Sequence, residues 1–157
     1  MIEMRMPEIA SAAVYETIKD LPEVAACVGT RIRNKPWLPD PKTPFPICLH
    51  YSEPGGGGYA DQPIGVRVPQ FVSLRYVVRF ICDGESTDPV DPASLAVFAA
   101  LTGRLVCPVA GYEVIAIPLE PWPQLNASGM LGTGTQGRVY SEAGDYFTIT
   151  VHNQRGN

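Results

Sequence analysis

Residues 71–82 read Phe-Val-Ser-Leu-Arg-Tyr-Val-Val-Arg-Phe-Ile-Cys, and this stretch decides the fold. Every even position is apolar, whereas the odd positions include Ser73, Arg75 and Arg79. Successive side chains of a β-strand point to opposite faces of a sheet, so a period of two separates these two sets. The stretch therefore predicts a strand whose odd face is offered to a partner and whose even face builds the core through Val72, Leu74, Tyr76, Val78, Phe80 and Cys82.

A polar, glycine-rich stretch over residues 53–70 precedes this strand and is too long for a hairpin turn. We predict that it forms an arm reaching a neighbouring subunit. No Gly-Lys-Ser/Thr follows its run of four glycines, so the run does not match a phosphate-binding loop. A second long loop is predicted over residues 118–137, and it contains Trp122.

Proline-led segments predict two helices near the N-terminus. Pro7 is placed to begin an amphipathic helix that reaches about Asp20, and Pro22 restarts a short helix that Gly29 ends. The apolar side of the first helix is predicted to carry Ile9, Ala13, Val14, Ile18 and Leu21.

A third helix is predicted directly after the long strand. Asp91 is its expected N-cap, Pro92 its first residue and Gly103 its C-terminal stop. Its residues Leu95, Phe98, Ala99 and Thr102 share one side.

Together these segments predict an α+β fold in one domain over residues 1–157. A mixed, mostly antiparallel β-sheet is packed by two main helices and carries long extended loops at 53–70 and 118–137. Further strands are predicted over residues 30–33, 47–51, 112–119, 138–141 and 146–152.

The composition of the chain excludes several classes of protein. The chain has 157 residues, 45% hydrophobic and 18% charged, with a formal net charge of −4. This balance favours a globular protein and gives no basic patch for nucleic-acid phosphates. There is no run of about 18 apolar residues that could span a membrane. Four isolated cysteines indicate reduced thiols made in a cytoplasm, and neither a metal nor a cofactor is predicted.

The two histidines, His50 and His152, are the candidate catalytic bases. Either could pair with Cys48 or Cys82 in three dimensions, and a small cytoplasmic Cys/His enzyme therefore stays open as an alternative. No local nucleophile signature surrounds either thiol, so the chain is predicted not to be an enzyme.

The order of elements resembles the tail-terminator, or tail-completion, proteins of long-tailed bacteriophages. The resemblance runs from the broken second helix through the strand Thr-Pro-Phe-Pro-Ile-Cys-Leu-His-Tyr at residues 43–51 to the strand, helix and strands that follow. It implies a ring, typically a hexamer, that caps the tail tube and docks on the head-side connector, with no catalytic residues. Another neck, head-closure or minor tail protein is the alternative within this class.

Membership would place the chain in the virion tail or neck, assembled in the cytoplasm of a bacterial host. Its partners would be other copies of itself, the tail tube protein and the connector, with DNA only passing through the lumen and no membrane. The predicted assembly contacts lie in the arm, on the odd face of the strand and in the second loop: Gly55, Gly56, Gly57, Gly58, Tyr59, Arg67, Arg75, Arg79 and Trp122.

Overall fold

The computed structural model describes residues 5–36, 42–53, 58–60, 71–123, 127–128 and 139–154, with the backbone alone at 58–60 and 127–128. Four of the predicted assembly contacts, Gly55, Gly56, Gly57 and Arg67, lie outside the described residues. Gly58 and Tyr59 are described by their backbone.

Among the described residues, a mixed β-sheet of eight strands organises the fold, and its main path runs β1-β2-β4-β8-β6-β5. The short strands β3 and β7 add to β4 and β8. β1 pairs with β2 in parallel, and the other pairs are antiparallel. The strands are β1 (Ile32–Arg33), β2 (Ile47–Ser52), β3 (Gly58–Ala60), β4 (Phe71–Asp83), β5 (Gly103–Arg104), β6 (Tyr112–Pro121), β7 (Ala127–Ser128) and β8 (Val139–Asn153).

In the part of the chain that the structure describes, three helices supply the apolar cover of one face of the sheet: α1 (Met6–Ile18), α2 (Pro22–Val28) and α3 (Asp91–Ala100). Gly29 ends α2 with φ +58, as its position after the apolar pattern predicts. None of the described helices is long and apolar enough to cross a membrane. The α+β prediction is confirmed. The predicted side of α1 is also confirmed, because Ile9, Ala13, Val14 and Ile18 are fully buried.

The even face of β4 builds the core as predicted. All six even positions from Val72 to Cys82 belong to one buried cluster with residues of the three helices. β4 pairs along its whole length with β8, from Phe71 opposite His152 to Asp83 opposite Tyr140. The long strand is therefore the central element of the sheet, held on both edges and covered on its even face.

The odd face of β4 is not the open surface that the sequence predicted. Val77 and Ile81 are fully buried and Arg79 is 7% exposed, so the expected exposure of Arg79 is wrong. A second apolar cluster covers this half of the face, with Phe45 and Trp122 packed against it. Segments distant in the chain bring that cover, which the period of β4 alone does not reveal.

The α3 helix buries a different side from the one that carries Leu95 and Phe98. Its core contacts are Val90, Ala93, Val97 and Leu101, whereas Leu95 is 70% exposed and Phe98 is 45% exposed. Asp91 lies in the first turn, because Val90 occupies the N-cap position. Gly103 has φ +87 and begins β5 two residues beyond the helix C-cap at Leu101.

Both predicted long loops contain strand. Residues 58–60 pair with 71–73, so part of the arm is a second strand of a hairpin with β4. β6 continues to Pro121 through an irregularity after Pro118, and β7 lies within the stretch predicted as the second loop. The predicted strands at 138–141 and 146–152 are the two ends of one strand, β8.

Candidate assembly surface

A buried ion pair lies beneath Trp122 on the odd face of β4. Arg79 Nη1 donates to Glu142 Oε1 at 2.9 Å, and Glu142 is 1% exposed. Trp122 Nε1 donates to the other carboxylate oxygen at 2.8 Å, and its ring lies 5.0 Å from the Arg79 guanidinium carbon. The Trp122 amide also donates to Gly144 O at 2.9 Å. Trp122 therefore caps this pair and fixes the end of β6 against β8.

Arg75, four residues earlier on the same face, is one-third exposed and is held within its own chain. Its Nε lies 3.1 Å from Glu53 Oε2, its Nη2 donates to Glu120, and its guanidinium carbon lies 4.1 Å from the centre of the Tyr146 ring. Glu53 N also donates to Arg75 O at 2.8 Å. Half-exposed ion pairs contribute little stability, so this network mainly orients the chain where the arm begins.

A groove of about 720 Å³ opens where β6 leaves β8, between α3 and the chain around Trp122. Leu95, Pro121, Trp122 and Pro123 form its apolar walls, and the backbone of Ala143 and Gly144 forms part of its lining. The described lining carries two carboxylates, Asp91 and Asp145, and no cation. The groove is therefore apolar, and both charged groups in its described lining are negative.

Asp145 is the unusual group of this groove. It is partly buried on the helix-covered face of the sheet, where it is paired with Val78 of β4. Among the described residues, none forms an ion pair with it. Removal from water raises the pKa of Asp145 to about 6. A carboxylate that loses hydration without gaining a partner costs stability in the isolated chain, and such a cost is typical of binding sites.

Replacing Asp145 with asparagine is expected to stabilise the isolated protein at neutral pH by about 1 kcal/mol, since solvent screens a half-exposed carboxylate. The raised pKa means that the folded state holds the proton more tightly than the unfolded state between about pH 4 and 6. The contribution of Asp145 to the stability of the wild type therefore falls as pH rises through this window. Urea unfolding at pH 4 and pH 7.5 measures the difference, and an equal gain at both pH values would contradict it.

Exposed apolar side chains flank the groove. Leu95 and Phe98 are one helical turn apart on α3, and Leu119 is 49% exposed two residues before Pro121. Ile117 is 57% exposed on the same strand but lies on the opposite face of the sheet, because it is paired with Thr148, which is opposite Arg75. Clustered exposed apolar side chains beside a groove mark surfaces that meet other proteins.

A second opening, of about 550 Å³, lies over His50 and is lined by residues of α1 and β1. His50 is 2% exposed, and burial lowers its pKa to about 4. Tyr76 Oη donates to Ser11 Oγ at 3.1 Å, which leaves that oxygen to accept from His50 Nδ1 at 2.7 Å. This polar chain ties the centre of β4 to α1.

The cysteines do not favour nucleophilic chemistry here. All four are free thiols. Burial raises the pKa of Cys48 far above its usual value and raises the pKa of Cys82 to about 11, so both stay protonated near neutral pH. Thiolate is the reactive form, and a neutral His50 held by Tyr76 is already engaged.

Acid is expected to destabilise the fold through His50. Its folded pKa lies below the ordinary value of 6.5, so stability is lost as pH falls from about 6.5 to about 4, by up to about 3 kcal/mol. Asp145 changes stability in the opposite sense over an overlapping window. The Asp145→Asn variant therefore isolates the histidine effect in urea titrations, and adding His50→Asn should flatten the slope. An unchanged slope would count against His50.

The structure distributes the predicted contacts over three places. Arg75 and Arg79 lie on one face of β4 within internal ion pairs, Trp122 caps Arg79 and lines the groove, and residues 58 and 59 lie in β3 beside the start of β4. Sequence reasoning missed Asp145 and the groove. The signal available was an aspartate between Ala143 and Phe147, at alternate positions of a stretch that continues with Ile149 and Val151.

No protein-family model and no curated protein matches this sequence. The fold is similar to that of a chain in a solved structure described as "Virion of native gene transfer agent (GTA) particle", with a TM-score of 0.59 and 20% sequence identity. The match covers 92% of this chain and 98% of the other. At this identity the likeness shows the fold.

Proposed function

We propose that this chain is a structural protein of a phage-like virion: a tail terminator that forms a ring on the head-proximal end of the tail tube and joins it to the head connector. The observation that carries the proposal is the shared fold over nearly the full length of both this chain and a chain of a gene transfer agent virion. The order of elements that resembles tail terminators supports the finer assignment, and the ring is proposed to hold six copies.

The surfaces fit an assembly role. A ring of identical subunits requires two different surfaces on each copy that meet head to tail and close. The groove beside α3 with its exposed leucine and phenylalanine offers one such surface, and the arm between β3 and β4 offers a second. An open sheet with helices on one face favours a terminator over the compact β-barrel expected of a head-closure rival.

The test is removal of the gene from the particle that encodes it. We expect heads and tails that remain unjoined, with joining restored by the wild-type protein supplied in trans, and electron microscopy of the restored particles should place the protein at the end of the tail. Normally joined particles that lack the chain would refute the proposal.

A further inference from the structure

We propose that residues 61–70 of one copy occupy the groove between α3 and the end of β6 on a second copy, with Arg67 pairing with Asp145. The inference rests on the proposed self-assembly and names the contact that carries it. It is argued from the charge of the groove, from the cations available in the chain and from the reach of the chain.

The groove specifies an apolar occupant with one cation. Its walls are leucine, tryptophan and proline side chains, and its two described charged groups are Asp91 and Asp145. Asp145 is partly dehydrated and has no ion-pair partner among the described residues. A guanidinium placed there would meet a carboxylate that has already lost part of its hydration, and arginine pairs with carboxylates through two parallel hydrogen bonds.

The segments of chain outside the described residues contain three cations: Arg67, Arg138 and Arg155. Arg155 lies in a polar tail, and Arg138 directly precedes Val139 at the start of β8. Arg67 is different, because the sequence Ile-Gly-Val-Arg-Val-Pro at residues 64–69 surrounds it with apolar side chains. This composition matches the groove in both polarity and charge.

The adjacent loop of the same chain cannot supply the cation. Residues 129–138 connect Ser128 to Val139, which are paired with each other, and Arg138 is one residue from that pair. Val139 lies six positions before Asp145 on β8, roughly 20 Å away at the rise of a strand. That separation exceeds the length of an arginine side chain.

A contact within one chain would need the arm to run fully extended along the sheet. Arg67 is four residues before Phe71, which limits its Cα to roughly 14 Å from that residue. Phe71 is opposite His152, and Asp145 lies seven positions from His152 along β8, roughly 23 Å at 3.3 Å per residue. Only the full length of the arginine side chain could close that gap, and helices α1 and α3 pack on β4 and β8. The pairing of β3 with β4 also stops at Ala60 and Phe71, at the end of β4 farther from the groove, so we assign the occupant to another copy.

The contact is heterologous, because the arm and the groove are different surfaces of one subunit. Each copy would give an arm to one neighbour and accept an arm from the other, and rings close by this kind of interface. The desolvation that raises the pKa of Asp145 in the isolated chain would be offset by the incoming guanidinium.

Charge exchange tests the pairing in the full chain. Arg67→Asp and Asp145→Arg should each weaken association by about tenfold or more, as close charge pairs at protein interfaces do. The double exchange should restore association to within a few-fold of the wild type. Sedimentation velocity across a concentration series measures all four proteins, and Arg104→Asp, a charge change at a side chain that is 74% exposed, is the matched control.

Disulfide trapping gives a readout that does not depend on affinity. Leu95→Cys on one tagged copy and Val66→Cys on a differently tagged copy, with Cys27 and Cys107 changed to alanine, should give a cross-link that joins the two tags.

The charge exchanges have milder substitutes in case the exchanged proteins do not fold. Arg67→Gln and Asp145→Asn then replace them, and thermal melting checks the folding of both variants.

The outcomes separate the inference from the proposed function. Oligomers that persist without arm-to-groove cross-links, or a double exchange that restores nothing, overturn the inference and leave the ring intact. A cysteine at Leu131 tests the rival loop, residues 129–138 of the same chain. If Leu95→Cys forms its disulfide preferentially with Leu131→Cys within one chain, the inference is overturned. A wild-type chain that stays monomeric both alone and with tail tubes overturns the proposed ring and the inference together.

Discussion

Replacing Glu142 with alanine is expected to lower the free energy of unfolding by about 3–5 kcal/mol, because breaking a buried ion pair leaves an uncompensated charge. Arg79 is 7% exposed and its guanidinium donates to Glu142 at 2.9 Å. The same substitution removes the acceptor of Trp122 Nε1. The loss should appear in urea unfolding monitored by circular dichroism, and Trp122 should move toward a more solvated fluorescence spectrum.

The double variant Arg79→Met with Glu142→Leu is the control for this prediction. Replacing both partners removes the stranded charge and keeps similar volume, and such replacements of buried pairs are often neutral or stabilising. We therefore expect most of the lost stability to return. A double variant as unstable as the sum of its single variants would show that the pair acts through contacts other than charge compensation.

The central strand was predictable because a single physical requirement determines its even face. Six consecutive even positions must leave water together, and the period of two expresses that requirement directly. The odd face has no such single requirement. Val77 and Ile81 beside Arg79 were apolar in the sequence, yet only the approach of Phe45 and Trp122 decides that this half of the face is covered.

The buried side of the α3 helix also could not be predicted from the sequence. Its sequence is apolar on two sides, with Ala93 and Val97 on one and the larger Leu95 and Phe98 on the other. Size favours the side that carries Leu95, but the space between α3 and the sheet admits the smaller residues. A helix that is apolar all round is expected to be covered on both sides. The exposed apolar side of α3 is therefore part of the surface that we propose for assembly.

The groove could not be predicted for a related reason. Its lining combines α3, the end of β6 and the middle of β8, which are brought together only where β6 separates from β8. The arm stays a prediction from its glycines and its length, and the pairing of residues 58–60 with β4 was not predicted. Local composition predicts a segment that reaches out, whereas the groove is defined only by tertiary packing.

The substitution Gly144→Ala is expected to destabilise the fold by about 3 kcal/mol or more, beyond the cost of ordinary overpacking. A Cβ atom added at Gly144 would collide with Val78 O and would lie 2.7 Å from Arg79 Cα. Both atoms belong to the backbone of β4, so relief would require separating β4 from β8 where Arg79 and Gly144 face each other. Urea unfolding measures the loss, and amide exchange should locate it in these two strands.

Gly29→Ala is the matched control, because it removes a glycine without crowding. No atom lies within 4 Å of a Cβ added there, and the penalty comes from a backbone at φ +58 and ψ −120, a sparsely populated region that costs an alanine roughly 1–3 kcal/mol. Equal losses in the two variants would mean that β4 and β8 adjust to the added methyl group. A much larger loss at Gly144 would show that this glycine is required for the close approach of the two strands, which also fixes Trp122 through the Gly144 carbonyl and places Asp145 in the groove.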